Sequence, residues 1–299
     1  MAGRINFEAT RVESEGNPAM SFMNLLVFAD ASDASAPRLE TAIAMAERFG
    51  AQLSACALAE QPAYYYGIGT EVAADIYVQD IERAKAVADE VAGIARPRLA
   101  KSERDGGVRS ATGTAAAISE IVARQARYAD LSLVGQPFDS AEETLLTKVL
   151  EGVLFDAGRP MVMVPRRWAA GAFGERVMIA WTSCKEAARA VDDAMPFIEA
   201  AESVHIAMID PDTGANAHGE EPGADLAASL ARHGVRVTVD PLPSGGRSVA
   251  ERLLTHATDC DANLIVMGGY GHWRLRETLF GGVTRDMIRQ STVPILLAH

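Results

Sequence analysis

Two tandem doubly wound α/β domains, each with a five-stranded parallel sheet, are the fold this sequence predicts. Short unbroken apolar runs alternate with longer amphipathic segments, which is the pattern of buried parallel strands joined by crossover helices. The alternation runs five times, passes a small-residue connector and begins again. The two rounds also share features: Ala129-Asp-Leu-Ser-Leu-Val-Gly135 parallels Asp261-Ala-Asn-Leu-Ile-Val-Met-Gly268, and Arg159-Pro-Met-Val-Met-Val164 parallels Val293-Pro-Ile-Leu-Leu-Ala298. A length of 299 residues suits two such domains better than one.

Residues 1–20 lack the apolar core of a signal peptide and read as a flexible leader, with Met20 or Met23 an equal candidate for the native start. The first domain is expected over 21–167. It opens with the strand Asn24 to Asp30 and a turn in which Ser32 or Asp33 caps the helix Ala36 to Phe49, closed by Gly50. A strand over Ala51 to Leu58 follows. Pro62, Tyr64 to Tyr66, Gly67 and Gly69 then interrupt, as cleft lining or as a packed flap. A long helix from about Glu71 to Ile94 precedes a polar third strand around Pro97 to Arg104. Helix Thr112 to Arg127, strand Ala129 to Gly135, helix Ala141 to Asp156 and strand Pro160 to Pro165 complete the unit. The connector is 168–174.

The second domain, 175–299, repeats the order: strand Arg176 to Trp181, helix Cys184 to Ala200, strand Ser203 to Ile209 and a polar loop over Pro211 to Pro222. Helix Ala224 to Arg232 ends near Gly234, and Val235 to Val239 alternates as a strand. Ser244-Gly-Gly-Arg-Ser248 leads into helix Val249 to Thr258. That stretch is similar to the phosphate loop of ATP pyrophosphatases, but it follows a third strand rather than a first. Strand Leu264 to Gly268 opens the most distinctive segment. Glycines at 268, 269 and 271 are followed by a second cluster at 281 and 282, with Thr284 just beyond. Such clusters suit a loop and a helix N-terminus whose free N–H groups favour phosphate oxygens. They suit tight turns equally well without a ligand. In parallel sheets of this type ligands sit beyond the strands' carboxyl ends where the winding reverses. The loops after the first and fourth strands of each half should therefore share a crevice.

Composition narrows the function. A net charge of −12 opposes binding to a nucleic-acid backbone. No apolar run approaches the roughly 20 residues of a membrane span, so no membrane partner is expected and a cytoplasmic location is. Three widely spaced cysteines, Cys56, Cys184 and Cys260, indicate neither a disulfide framework nor a zinc ribbon. The histidines show no His-x3-His or His-Glu spacing, and the sequence points to no metal site. No nucleophile, base and orienting group can be placed together, so a catalytic role is not indicated.

The spacing Gly268-x2-Gly271-x9-Gly281 with Thr284, together with Val27-Phe-Ala-Asp-Ala-Ser32 and Ala180-Trp-Thr-Ser-Cys-Lys-Glu-Ala-Ala-Arg-Ala190, resembles the universal stress protein family across residues 23–298, as two tandem Rossmann-like domains. The resemblance implies a stress-response protein that binds ATP, with or without Mg2+, or a related adenine nucleotide, and answers to it through a protein partner. Any ATP hydrolysis would be slow and incidental. It places the nucleotide on Ala180, Thr182, Met208, Met267, Gly268, Gly271, Gly281, Gly282, Val283 and Thr284 of the second half. In the first half it places Asp30 and Gly135. The motif is split between the halves. Asp30 matches the family's nucleoside-contacting Asp but competes with a turn-forming role, and its partner loop, Gly135-Gln-Pro-Phe-Asp139, keeps only Gly152 of the distal cluster. The second half keeps the glycines, with Thr182 in place of the Asp and Gly282 in place of a hydroxyl residue. Thr182 could serve a ribose or cap a helix, Trp181 could flank a base or fill the core, and His272, Trp273, Arg274 and Arg276 could meet an anion or solvent. The alternative function is a nucleotide-independent scaffold with decayed sites. Family members commonly dimerise through their last strands, so the two halves are expected to form a pseudo-dimer within the chain, leaving homodimer formation open.

Overall fold

The computed structural model describes residues 5–6, 21–63, 71–212, 221–269 and 282–299, with the backbone alone at 5–6 and 71–75. The chain forms two compact units, one of residues 22–172 and one of residues 173–299 that also takes in the N-terminal segment. That segment contributes a two-residue strand, β1 (Ile5–Asn6), within the stretch expected to be a loose leader.

In the first unit β2 (Asn24–Ala29), α1 (Ser35–Phe49), β3 (Gln52–Gln61), α2 (Glu71–Leu99), β4 (Asp105–Thr114), α3 (Ala115–Ala126), β5 (Leu131–Gly135), α4 (Glu143–Glu151), a π-helical turn (Gly152–Ala157) and β6 (Met161–Val164) follow in order. The strands are parallel in the order β4-β3-β2-β5-β6. Helices cover both faces, so Leu25 to Phe28 at the centre of β2 are all buried. Helix α1 buries Arg38, Leu39, Ala42, Met45 and Ala46, one face at helical spacing, and ends where Gly50 turns left-handed at φ 67°. Its N-cap is Ala34, without a side-chain hydrogen bond, so neither Ser32 nor Asp33 caps it.

The third strand departs from the sequence expectation. Helix α2 runs through Pro97 to Leu99, and the strand begins only at Asp105. Proline forfeits one hydrogen bond and crowds the carbonyl four residues back, which here belongs to Gly93, a residue with open space around it. Burial of Ala92, Ala95 and Leu99 holds the last turn in place, and Arg98 donates to the Ile94 carbonyl at 2.9 Å. Strand β4 is polar because it lies at the sheet edge and is largely exposed.

The second unit contains β7 (Arg176–Ala180), α5 (Lys185–Asp193), α6 (Met195–Ala200), β8 (Ser203–Ile209), α7 (Ala224–Arg232), β9 (Val237–Leu242), α8 (Val249–Asp259), β10 (Leu264–Gly268), α9 (Gly282–Gln290) and β11 (Ile295–Ala298). Its parallel order, β9-β8-β7-β10-β11, repeats that of the first unit, and β1 adds antiparallel to the outer edge of β9. The single helix expected over Cys184 to Ala200 is split at Ala194, because Pro196 cannot continue the hydrogen-bond ladder of α5. In both units the first strand sits between the second and the fourth, so the winding reverses at β2/β5 and at β7/β10. Among the described residues no helix is long and apolar enough to cross a membrane.

Candidate functional site

At the β7/β10 reversal, Ala180 pairs in register with Met267, and Gly268 ends the strand. A Cβ on Gly268 would lie 2.5 Å from the Ala187 amide nitrogen and 2.6 Å from the Glu186 carbonyl carbon. The first turn of α5 therefore rests directly on the end of β10. That turn already carries an anion: Glu186 is buried, and although burial raises its carboxyl, hydrogen bonds from its own N–H, Cys184 and Lys185 hold it below the ordinary range. Thr182 is exposed, with its hydroxyl 3.4 Å from the Cys184 sulfur, and it does not cap α5. Trp181 is half-buried.

Helix α9 offers the other N-terminus. In a right-handed strand–helix–strand crossover it starts on the carboxyl side of the sheet. Gly282 and Val283 are exposed there, a Cβ on Gly282 would meet nothing within 4 Å, and Thr284 is buried one turn in. Met208 and Met267 are buried in the core. The fold thus gathers Ala180, Thr182, Met267 and Gly268 at the strand ends, and sets Gly282, Val283 and Thr284 on the following helix. Gly271, Gly281, residues 272–276 and Tyr64 to Tyr66 lie outside the described residues.

The corresponding crevice of the first unit is filled by protein. Asp30 is buried and ion-paired with the guanidinium of Arg38, itself 1% exposed. Arg38 Nε also donates to the Phe28 carbonyl at 2.9 Å, and Asp30 Oδ1 accepts from the Ser32 amide at 2.8 Å. A Cβ on Gly135 would collide with Arg38, so this glycine makes room for the guanidinium. Gln136 and Phe138 are buried behind it. Gly152 is also explained by packing: a Cβ there would lie 2.9 Å from Ser119 Cα, so α3 crosses at backbone distance. Nearby, Glu142 has a carboxyl raised by burial and then by the charges of Asp30 and Glu60. Sequence reasoning missed Arg38. Its signal was present, since it falls on the same helical face as Leu39, Ala42 and Met45. A cavity of about 350 Å³ opens at the amino ends of β2 and β3, lined by Asn24, Gln52, Ser54, Arg109 and Tyr128 among others, away from the reversal.

Residues 174–299 match the model of the universal stress protein family. The match spans the second unit from Gly174 onward. Solved structures extend the likeness of fold to the whole chain. A universal stress protein from Archaeoglobus fulgidus DSM 4304 is 20% identical with a TM-score of 0.66, covering 92% of this chain and 95% of its own. A candidate universal stress protein from Pseudomonas aeruginosa UCBPP-PA14 is 15% identical with a TM-score of 0.54, covering 94% and 95%. A functionally unknown protein from Pseudomonas aeruginosa PAO1 is 14% identical with a TM-score of 0.52, covering 93% and 92%. No curated protein sequence matches the chain.

Proposed function

We propose that this chain is a stress-response regulator that binds ATP or a related adenine nucleotide in its second unit and signals that state to a protein partner. The observation that carries the reading is the asymmetry of the two reversal points. In the first, Arg38 and Asp30 occupy the crevice; in the second, open space lies over Gly282 at the start of α9, and Thr182, beyond the end of β7, is exposed. Backbone N–H groups at that helix start would hold phosphate oxygens, with the helix dipole in support. Thr182 would serve a ribose hydroxyl in place of a carboxylate. The nucleotide, with Mg2+ where triphosphate is bound, would bring its charge to that helix start. It would shift the protein only as far as its affinity differs between two states.

Calorimetric titration with ATP plus magnesium, with AMP as comparison, tests the proposal. Saturable binding is expected, lost in Gly271→Trp and Gly282→Trp and retained in the first-unit variant Asp139→Ala. Gly282→Trp is informative because its Cβ would enter open space, and a circular dichroism spectrum and melting curve like those of the unaltered protein show that the fold is kept. Absence of heat and of any thermal shift at millimolar nucleotide would overturn it. Thr182 in the place of the Asp favours the second reading, a nucleotide-independent scaffold of the same fold.

A further inference from the structure

A cluster of metal-ligating side chains stands between the sheet and α8 of the second unit, away from the reversal point. Strands β8 and β9 pair His205 with Thr238 and Ala207 with Asp240, so His205 and Asp240 lie on one face of the sheet, two residues apart in register. Helix α8 turns His256 toward that face, and Cys260 follows four residues later at the helix C-cap. Asp240 Oδ2 lies 2.7 Å from His205 Nδ1 and 3.1 Å from His256 Nε2. The imidazole centroids are 6.1 Å apart and cross at 76°. One ring nitrogen of each histidine and the Cys260 sulfur all fall within 4.8 Å of one another.

We propose that His205, His256 and Cys260 bind a divalent transition metal ion of the zinc class, the ion taking up a ring nitrogen that now faces Asp240. Two imidazoles and a thiolate are a borderline-soft donor set, which suits zinc and excludes the oxygen-seeking magnesium and calcium. Tetrahedral zinc with bonds of about 2.0–2.3 Å needs donor separations of about 3.3–3.8 Å, so binding draws the donors inward from the 4.8 Å within which they now fall. His256 and Cys260 share one helix face at the i, i+4 spacing, and His205 approaches from the neighbouring strand. Asp240 Oδ2 accepts from two ring nitrogens that face one another, so the ion displaces at least one of these hydrogen bonds, and the carboxylate kept on the other imidazole fixes that ring's orientation. His205 and Cys260 are only partly buried, which leaves a path for the ion. Binding replaces the thiol proton by the metal, Cys–SH and Zn2+ giving Cys–S–Zn+ and a released H+. Uptake therefore tightens as pH rises.

The test uses the full chain, stripped with a chelator and titrated with Zn2+ alone and then with Co2+ alone. One equivalent of Zn2+ per chain is expected, and the Co2+ form should show tetrahedral d–d bands with a thiolate-to-metal charge-transfer band. Cys260→Ser should abolish that band, Cys184→Ser should keep it, and Asp240→Asn should weaken affinity about 10–100-fold. The Co2+ spectrum of the unaltered protein guards against a variant that fails to fold. No stoichiometric uptake, a spectrum without thiolate ligation, or a band that survives Cys260→Ser would each overturn the assignment.

Discussion

Each unit places a glycine at the end of its fourth strand, and in each a side chain there would collide, but with different neighbours. Gly135 faces the guanidinium of Arg38; Gly268 faces the backbone of α5 at Glu186 and Ala187. The pairings Val27–Leu133 and Ile179–Val266 align the two units, and counting eleven residues forward from Val27 and Ile179 sets Arg38 against Ala190, which is fully buried. By the same count Asp30 corresponds to Thr182. The large cation and its acid close one crevice from within, while a small residue and a hydroxyl leave the other to its helix backbone. A glycine in sequence thus marks a close approach without saying whether a ligand, a side chain or a helix makes it.

The largest effect should come from opening the closed crevice. Arg38→Ala leaves Asp30 buried and unpaired and is expected to cost about 3–5 kcal/mol, seen as lost hydrogen-exchange protection in β2 and α1. The double variant Asp30→Asn with Arg38→Met should recover much of that loss. If Arg38→Ala is neutral, the pair does not close the crevice and the contrast between the units fails. Next, Gly268→Ala forces a methyl into the α5 backbone and should cost about 1–3 kcal/mol in denaturant unfolding. Gly282→Ala, entering open space, should stay within about 0.5 kcal/mol. Helix capping adds one local difference, at α8, since α5, α6 and α7 of the second unit also have no side-chain cap bond. Ser248 and Glu251 form a reciprocal capping box on α8, whereas α1, α3 and α4 have no side-chain cap bond. Ser248→Ala should therefore cost about 1 kcal/mol in the second unit, read from its thermal transition.

Acid should act on the two units in opposite directions. The Glu142 carboxyl is raised, by burial first and then by Asp30 and Glu60, so the folded first unit binds its proton more tightly than the unfolded chain does. That contribution is full below the ordinary Glu pKa and is lost as pH rises through the raised value. Glu142→Gln should accordingly stabilise at pH 7 by less than about 1 kcal/mol and do little in acid. Asp240 is the reverse case. Burial raises its carboxyl, but the hydrogen bonds from His205 and His256 outweigh this and hold it far below the ordinary range. Its stabilisation is present above the ordinary Asp pKa and is lost as pH falls towards the depressed value. Melting curves between pH 7 and acid, compared for Glu142→Gln and Asp240→Asn, check both signs.

The order of strands and helices was legible because it is written in local periodicity. Strand Ser203–Ile209 and helix Ala224–Arg232 occupy the residues expected of them. The misplaced third strand had a local cause as well. An edge strand such as β4 carries no apolar run, and the strand was expected from about Pro97 although burial of Leu99 carries α2 past it. His256-x3-Cys260 was a visible i, i+4 pair, but nothing in its own segment names His205 or Asp240 as neighbours.

Sequence alone determined that the chain is wound twice in the same order and that each winding reverses between its first and fourth strands. Apolar spacing along one segment is enough to choose strand or helix, and the succession of segments constrains the crossovers. Tertiary structure alone decided that Arg38 lies against Asp30 and Gly135, that Gly152 admits the backbone of α3, and that His205, Asp240, His256 and Cys260 meet. Those contacts depend on strand register and on how deeply each helix settles on its sheet. Both are set by packing between segments distant in the chain, where the local pattern of either one carries no record of the other.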